Sequence, residues 1–324
     1  MKSVLILISL MILALSLAAC GNKNTDNSSQ TSEGNAAAAD QSAPAPASDR
    51  TLTDALGNKV TIPAEPKRII GSYLEDPLVA LGVKPVAQWS VPNGKQEYLK
   101  SYLDGIPTIS YDLPYEAVTS FNPDLLLIAS DGEVKDGKYP QYNKIAPTYV
   151  LGDAINADWR KALLKIGEVL NKSKEAQQVL DQYEVKAKDA KEKLANAIGT
   201  QSAAAIWLVQ KNFYVVSDNL SSGSVLYKDL GLTAPDVVKE ISKTGTGNWN
   251  AISLEKLADM KVDYLFLINS DETDSDMLKQ AIWKNIPAVK NGHVYEFDKT
   301  HSWLYGGPIA NGQIIDDVLA SLVK

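Results

Sequence analysis

Residues 172–198, KSKEAQQVLDQYEVKAKDAKEKLANAI, decide the reading of this chain. The stretch is rich in Ala, Lys, Glu, Gln and Leu, holds no Gly or Pro, and is followed by Gly199, so it predicts one uninterrupted helix. About 27 residues at 1.5 Å each would run ~40 Å. Apolar runs lie on both sides of it, and it reads as a rigid strut between two lobes.

Those runs, at 68–71, 85–87, 124–129, 147–151, 203–209, 213–217, 264–269 and 294–297, predict buried strands. They alternate with helical periods, among them an amphipathic helix from near Ala157 to Leu170, which is the pattern of an α/β fold. Leu125-Leu126-Leu127-Ile128 is continuously apolar, as expected of a strand covered on both faces inside a mostly parallel sheet. The roughly 275 residues from Arg50 onward exceed what one core usually serves. Two α/β lobes follow, 50–171 and 199–324, joined by the helix at 172–198.

Upstream, an apolar run from Val4 to Leu17 ends in Leu17-Ala18-Ala19-Cys20. The run is too short for a stable membrane span and reads as a signal peptide over 1–19, cleaved before Cys20. Cys20 is the only cysteine, so it cannot close an internal disulfide, and its expected role is to carry a lipid. The stretch 20–49 is almost devoid of large apolar residues and reads as the lipidated cysteine and a disordered tether. The mature protein would be extracytoplasmic and anchored to the cell membrane. The net charge is −7, and loss of residues 1–19, with Lys2 as their only charge, takes it to −8. That balance argues against nucleic acid as a partner.

In order and spacing, several segments resemble the substrate-binding lipoproteins of iron-siderophore ABC importers. They are TDALGN (53–58), PKRII (66–70), LGVKPV (81–86), NPDLL (122–126), KIAPT (144–148), VLYKDLGL (225–232) and WKNIPAVKNGHVY (283–295). The resemblance implies two lobes on one long helix, a ferric siderophore in the cleft between them, and delivery to a membrane permease driven by its ATPase. It implies a receptor that acts as a monomer, not an enzyme, with no cofactor of its own and iron as cargo. Glu116 and Glu255 match the two glutamates that meet the permease in this family. Each is also a helix-start acid, favoured there by the helix dipole.

A cleft of this kind is lined by loops at the carboxyl ends of strands. Those loops offer Tyr73, Glu75, Trp89, Ser90, Ser130 and Asp131 in the first lobe. In the second they offer Trp207, Gln210, Tyr214, Trp249, Asn269, His301, Ser302, Trp303 and Tyr305. The expected ligand contacts are Tyr73, Trp89, Ser130, Trp207, Gln210, Tyr214, Trp249, Trp303 and Tyr305. Relatives that take catecholates carry arginines where this chain has Trp207 and Val209, and the whole chain has only Arg50, Arg68 and Arg160. A triply charged anion needs a cationic clamp to offset its lost hydration, so a ligand of low net charge such as a ferric hydroxamate fits better. The loop DNLSSG (218–223) lacks the Trp and Arg of close hydroxamate binders, while Trp303 matches a Trp of some citrate-based or carboxylate binders. A mixed citrate–hydroxamate chelate held by lysines or Arg160 therefore stays open, as do other carboxylate chelates, haem and a cobalamin.

Two histidines, His293 and His301, cannot build a three-histidine metal site. Ser217-Asp218-Asn219, Lys243-Thr244-Gly245 and Ser253-Leu254-Glu255-Lys256 echo serine β-lactamase signatures, but in the wrong order and crowded together. A surface hydrolase using Ser253 is the remote alternative. Asp271, Glu272, Asp274 and Asp276 lack the Gly and Glu of a calcium loop, and Gly245-Thr246-Gly247 lacks the rest of a phosphate fingerprint.

Overall fold

The long helix runs Ser173–Ile198, 26 residues, in a computed structural model that describes residues 48–92, 94–245, 247–271 and 275–323. The signal at 1–19, Cys20 and the tether up to residue 47 lie outside the described residues, as do Thr246, Glu272 and Asp274. The helix serves two cores. Ala176, with half-buried Val179 and Leu180, enters a core built from the first half of the chain. Tyr183, Ala187, Ala190, Leu194 and Ile198 recur at helical spacing and enter a second core with β-strand residues 203–268. Trp159 packs against both. It opens the preceding helix, Trp159–Val169, whose N-terminus is capped by Asp158 accepting the amides of Arg160 and Lys161. That helix crosses the long one closely at Gly167, where a Cβ would lie 2.4 Å from Ala176 Cβ.

The strands are β1 (Arg50–Thr53), β2 (Lys59–Ile62), β3 (Ile69–Gly71), β4 (Gln88–Val91), β5 (Gly94–Lys95), β6 (Thr108–Ser110), β7 (Leu125–Ile128), β8 (Thr148–Val150), β9 (Ala203–Val209), β10 (Asn212–Val216), β11 (Trp249–Ile252), β12 (Tyr264–Asn269) and β13 (Val294–Phe297). In the first half, β1 and β2 form a hairpin, β3-β7-β8 an all-parallel sheet, and β5-β4-β6 a mixed one. The second half is one sheet in the order β11-β10-β9-β12-β13, parallel across β9, β12 and β13 and antiparallel across β9, β10 and β11. The architecture is thus two sheet-containing α/β regions sharing a long helix.

Period-two geometry explains the continuous apolar strands. Leu125 and Leu127 of β7 face one core and Leu126 and Ile128 another. Likewise Ala203 and Ala205 of β9 face the long helix, while Ala204, Ile206 and Leu208 face the opposite core. The strand expected at 85–87 begins instead at Gln88, which pairs with Thr108. Pro85 has no N–H to give to a ladder, and Val86 reaches only Ile69 O through a single bond. The hairpin β1–β2 and the short β5, β6 and β11 carry too little apolar sequence to stand out.

The C-terminal helix, Pro308–Leu322, ties the two regions. Ile314, Ile315, Val318 and Leu322 enter the second core. Its N-terminus, however, is held from the first region by Asp76, whose carboxylate accepts Ile309 N–H (3.0 Å), Ala310 N–H (2.8 Å) and Tyr98 O–H (2.9 Å). Gly307 is required there: its φ is +145°, and a Cβ would lie 2.4 Å from Asp76 Oδ1.

Candidate functional site

A cavity of about 790 Å³ opens between the two regions, within the size range of small-molecule sites. Its first wall starts after β3, where the chain turns through Tyr73 with φ +55°, a left-handed conformation unusual for a side-chain-bearing residue. That turn sets the Tyr73 ring against Trp89 of β4, centroids 4.5 Å apart. Val91, Gly94, Lys95 and Glu97 continue the wall.

The second wall is a row of aromatics across three antiparallel strands. Tyr214 of β10 is the cross-strand partner of Trp207 of β9, with rings 5.5 Å apart, and Trp249 of β11 meets Trp207 edge-on at 6.1 Å. The face of β9 that begins with Ala203 and Ala205 under the long helix thus ends at the cavity with Trp207 and Val209. Trp207 offers its ring face, because its indole N–H is already donated to Ser270 Oγ at 2.9 Å. The Trp249 indole nitrogen is buried and finds no partner among the described residues. Tyr305, from the segment before the C-terminal helix, reaches across to donate to Lys95 O at 3.3 Å and rests 4.9 Å from the Tyr98 ring.

Seven of the expected contacts therefore converge on one cavity: Tyr73, Trp89, Trp207, Gln210, Tyr214, Trp249 and Tyr305. Two do not, and both are corrected. Trp303 is fully buried, stacked on Phe266 at 4.9 Å and near Phe297 at 5.1 Å, and its indole N–H is donated to Asp317. The polar and Gly residues around it mark a tight turn, not exposure. Ser130 caps the short helical turn Asp131–Val134, its hydroxyl accepting Gly132 N–H while the Glu133 carboxylate accepts Ser130 N–H. Among the other loop residues, Ser302 is buried and donates to Ala310 O, Asn269 bonds Glu296, and His301 sits 2.9 Å from Asp317. Sequence reasoning missed Val91, Gly94, Lys95, Glu97, Ser270, Asp271, Lys299 and Leu304, which become cavity residues only where separate stretches of chain meet.

All three arginines are committed elsewhere. Arg50 donates to Glu168 O and Val169 O, Arg68 to Asn122 O and Phe121 O, and Arg160 pairs with Glu184 (2.6 Å) and Asp229 (2.9 Å). Arg160 is thus a brace between helices and not a ligand clamp. The lining cations are Lys95 and Lys299, one from each region. Ser253 Oγ accepts Lys256 N–H as a helix cap, and the Lys256 ammonium faces Glu240 at 3.5 Å, so these residues stabilise a helix start. Among the described residues no group of three His, Cys, Asp or Glu could hold a metal ion.

Behind Tyr73 and Trp89 lies a buried carboxyl. Glu75 Oε1 accepts Trp89 N–H at 2.6 Å, and Oε2 has no partner among the described residues. Burial is the main cause that pushes its pKa up to about 7. The fold therefore holds Glu75 protonated between its ordinary value of 4.5 and about 7, where the unfolded chain is ionised. Stability from this group is complete below 4.5 and is lost as pH rises through 7. Glu75→Gln is expected to leave stability nearly unchanged at pH 4.5 and to raise it by on the order of 2 kcal/mol at pH 8. Guanidinium melts at the two pH values would check this, and a variant less stable than the parent at pH 8 would contradict it.

Two α/β regions, one shared helix and an aromatic cavity fed by both regions define a ligand receptor. Residues 72–300 match the family described as periplasmic binding protein, and the chain belongs to that family, whose members are extracytoplasmic substrate receptors and not enzymes. The chain is 30% identical to the iron(3+)-hydroxamate-binding protein FhuD of Bacillus subtilis (strain 168), over 97% of this chain and 96% of that one. It is 26% identical to the probable siderophore-binding lipoprotein YfiY of the same organism, over 100% of this chain and 99% of the relative. A crystal structure of a FhuD fold-family periplasmic binding protein component of a Fep/Fec-like ferrichrome ABC transporter from Bacillus subtilis matches with TM-score 0.72. It is 30% identical and covers 84% of this chain and 100% of that one. No helix among the described residues is long and apolar enough to cross a membrane.

Proposed function

We propose that this protein captures a ferric siderophore of the hydroxamate type in the cavity between its lobes, 50–171 and 199–324, and hands it unchanged to an ABC permease for iron uptake. The observation that carries the reading is the lining: Tyr73, Trp89, Trp207, Tyr214, Trp249 and Tyr305 with no arginine. A ferric hydroxamate has little net charge and apolar arms, so aromatic faces can hold it by dispersion and area burial. A triply anionic catecholate would lose its hydration without a cationic clamp to replace it. The names of FhuD and of the ferrichrome transporter component support the same ligand class.

Lipidation at Cys20 would anchor the receptor outside the cell membrane, in keeping with the lipoprotein name of YfiY. Glu116 and Glu255 are exposed, each in the first turn of a short helix and one in each lobe, and are the proposed contacts to the permease, whose ATPase drives release into the cell. The receptor would act as a monomer. A second reading, a citrate–hydroxamate chelate of small negative charge, is favoured by Lys95 and Lys299 on opposite walls.

Intrinsic tryptophan quenching of the fragment 49–324, titrated with ferrioxamine, ferric schizokinen, ferric citrate and a ferric catecholate, tests the proposal. Tight quenching by a hydroxamate is the expected result. Preference for schizokinen over ferrioxamine would select the second reading, and preference for the catecholate would overturn both.

A further inference from the structure

The turn between β9 and β10 is held from outside. Val209 pairs with Asn212, so the connection is only Gln210-Lys211, and both residues have positive φ, +50° and +61°. A two-residue hairpin turn of this hand favours Asn-Gly, because Asn tolerates the left-handed region and Gly meets no Cβ clash there. Gln and Lys have neither property, so the sequence of the turn does not account for its conformation.

Asp271, just beyond β12, supplies what the turn lacks. Its Oδ1 accepts Gln210 N–H at 2.5 Å and its Oδ2 accepts Lys211 N–H at 2.6 Å. The clamp is itself fixed: Asp271 N–H is donated to Asn269 Oδ1 at 3.0 Å, and Ser270 N–H to Leu208 O at 2.8 Å. Ser270 Oγ takes the Trp207 indole N–H from the same side. One dipeptide, Ser270-Asp271, thus grips β9 at Trp207, at Leu208 and at the turn. Both carboxylate oxygens of Asp271 are used on backbone amides although the residue lines the cavity.

We propose that Asp271 is a positioning residue for ligand binding, holding the Gln210-Lys211 turn in its left-handed form and so setting the Trp207–Gln210 wall of the cavity. This rests on the reading of the cavity as a ferric hydroxamate site. It adds that affinity depends on a carboxylate that does not itself bind the chelate.

The test is Asp271→Ala with and without Lys211→Gly, the glycine removing the need for an external clamp at the second turn position. Asp271→Ala should weaken ferrioxamine or ferric schizokinen binding about tenfold. It should also speed hydrogen exchange at the Gln210 and Lys211 amides in the ligand-free protein. Lys211→Gly in that background should return most of the lost affinity while changing little in the parent, and Asp271→Asn, with one accepting oxygen, should fall between. Unchanged affinity in Asp271→Ala, or a loss that the glycine does not relieve, would overturn the proposal; the latter would mean that the charge acts directly. If no ferric chelate quenches the parent protein, the functional reading fails by itself. The exchange rates then decide the clamp, and equal rates in parent and variant would reject it.

Discussion

Asp76→Ala is expected to cost about 4 kcal/mol of folding stability, because it leaves the Ile309 and Ala310 amides and the Tyr98 hydroxyl buried without their acceptor. The loss should exceed that of an ordinary helix cap, worth about 1–2 kcal/mol, since the carboxylate also joins two regions. Tyr98, Leu99, Leu103 and Ala310 form a small core around it, and Tyr305 and Ile309 pack on that core. Asp76→Asn, which keeps an accepting oxygen, should lose about half as much. Burial raises the Asp76 pKa to about 6, so measurement at pH 7.5 addresses the ionised form that accepts all three bonds. Chemical denaturation of the three proteins at that pH provides the measurement. A loss under 1 kcal/mol for the alanine variant would show that other acceptors replace Asp76 at the helix start. The same contact predicts that ligand affinity in Asp76→Ala falls along with stability, because the segment carrying Tyr305 enters the helix that Asp76 holds.

Trp207→Ala should lower affinity for a ferric hydroxamate about 100-fold, the size of effect seen when a central aromatic is removed from a desolvated contact. Trp207 lies at the junction of the second wall, touching both Tyr214 and Trp249. Its truncation opens the wall as well as deleting one face. Trp207→Phe should cost about tenfold, since a ring remains but the bond to Ser270 Oγ is lost. Stability should change far less than affinity, because Trp207 packs at the edge of its core and not inside it. Calorimetric titration is the suitable readout, as it does not depend on the missing fluorophore. Binding of Trp207→Ala within threefold of the parent would remove Trp207 from the site and with it the aromatic-wall account.

Much of the architecture is legible in sequence where periodicity is strong. The long helix is readable because 26 residues repeat at helical spacing without a breaker, and β7, β9 and β12 because continuous apolar runs of four to seven residues are too short for most buried helices. The hairpin β1–β2 was not, because its alternating RTLT and KVTI segments bury only one face and resemble loop sequence. The cavity was partly legible: strand ends carrying Trp and Tyr point to a cleft, and Tyr73, Trp89, Trp207, Tyr214, Trp249 and Tyr305 reach it while Trp303 does not. Trp207 sits in an apolar run and Trp303 among polar and Gly residues, yet Trp207 lines the cavity and Trp303 lies at zero exposure against Phe266.

The chain's composition and local patterns by themselves determined two α/β regions on one helix, a supply of aromatics at strand ends, and a shortage of arginine. Folding in three dimensions selected which aromatics line the cavity, committed every arginine elsewhere, and brought Lys95, Asp271 and Lys299 to one cavity. The reason is geometric. Helix and strand formation depend on neighbours within a few residues, whereas a side chain's final direction depends on strand register and on the sign of φ in turns. Both are fixed by contacts such as Asp271 with Gln210 and Asp76 with Ala310, across 61 and 234 positions of chain.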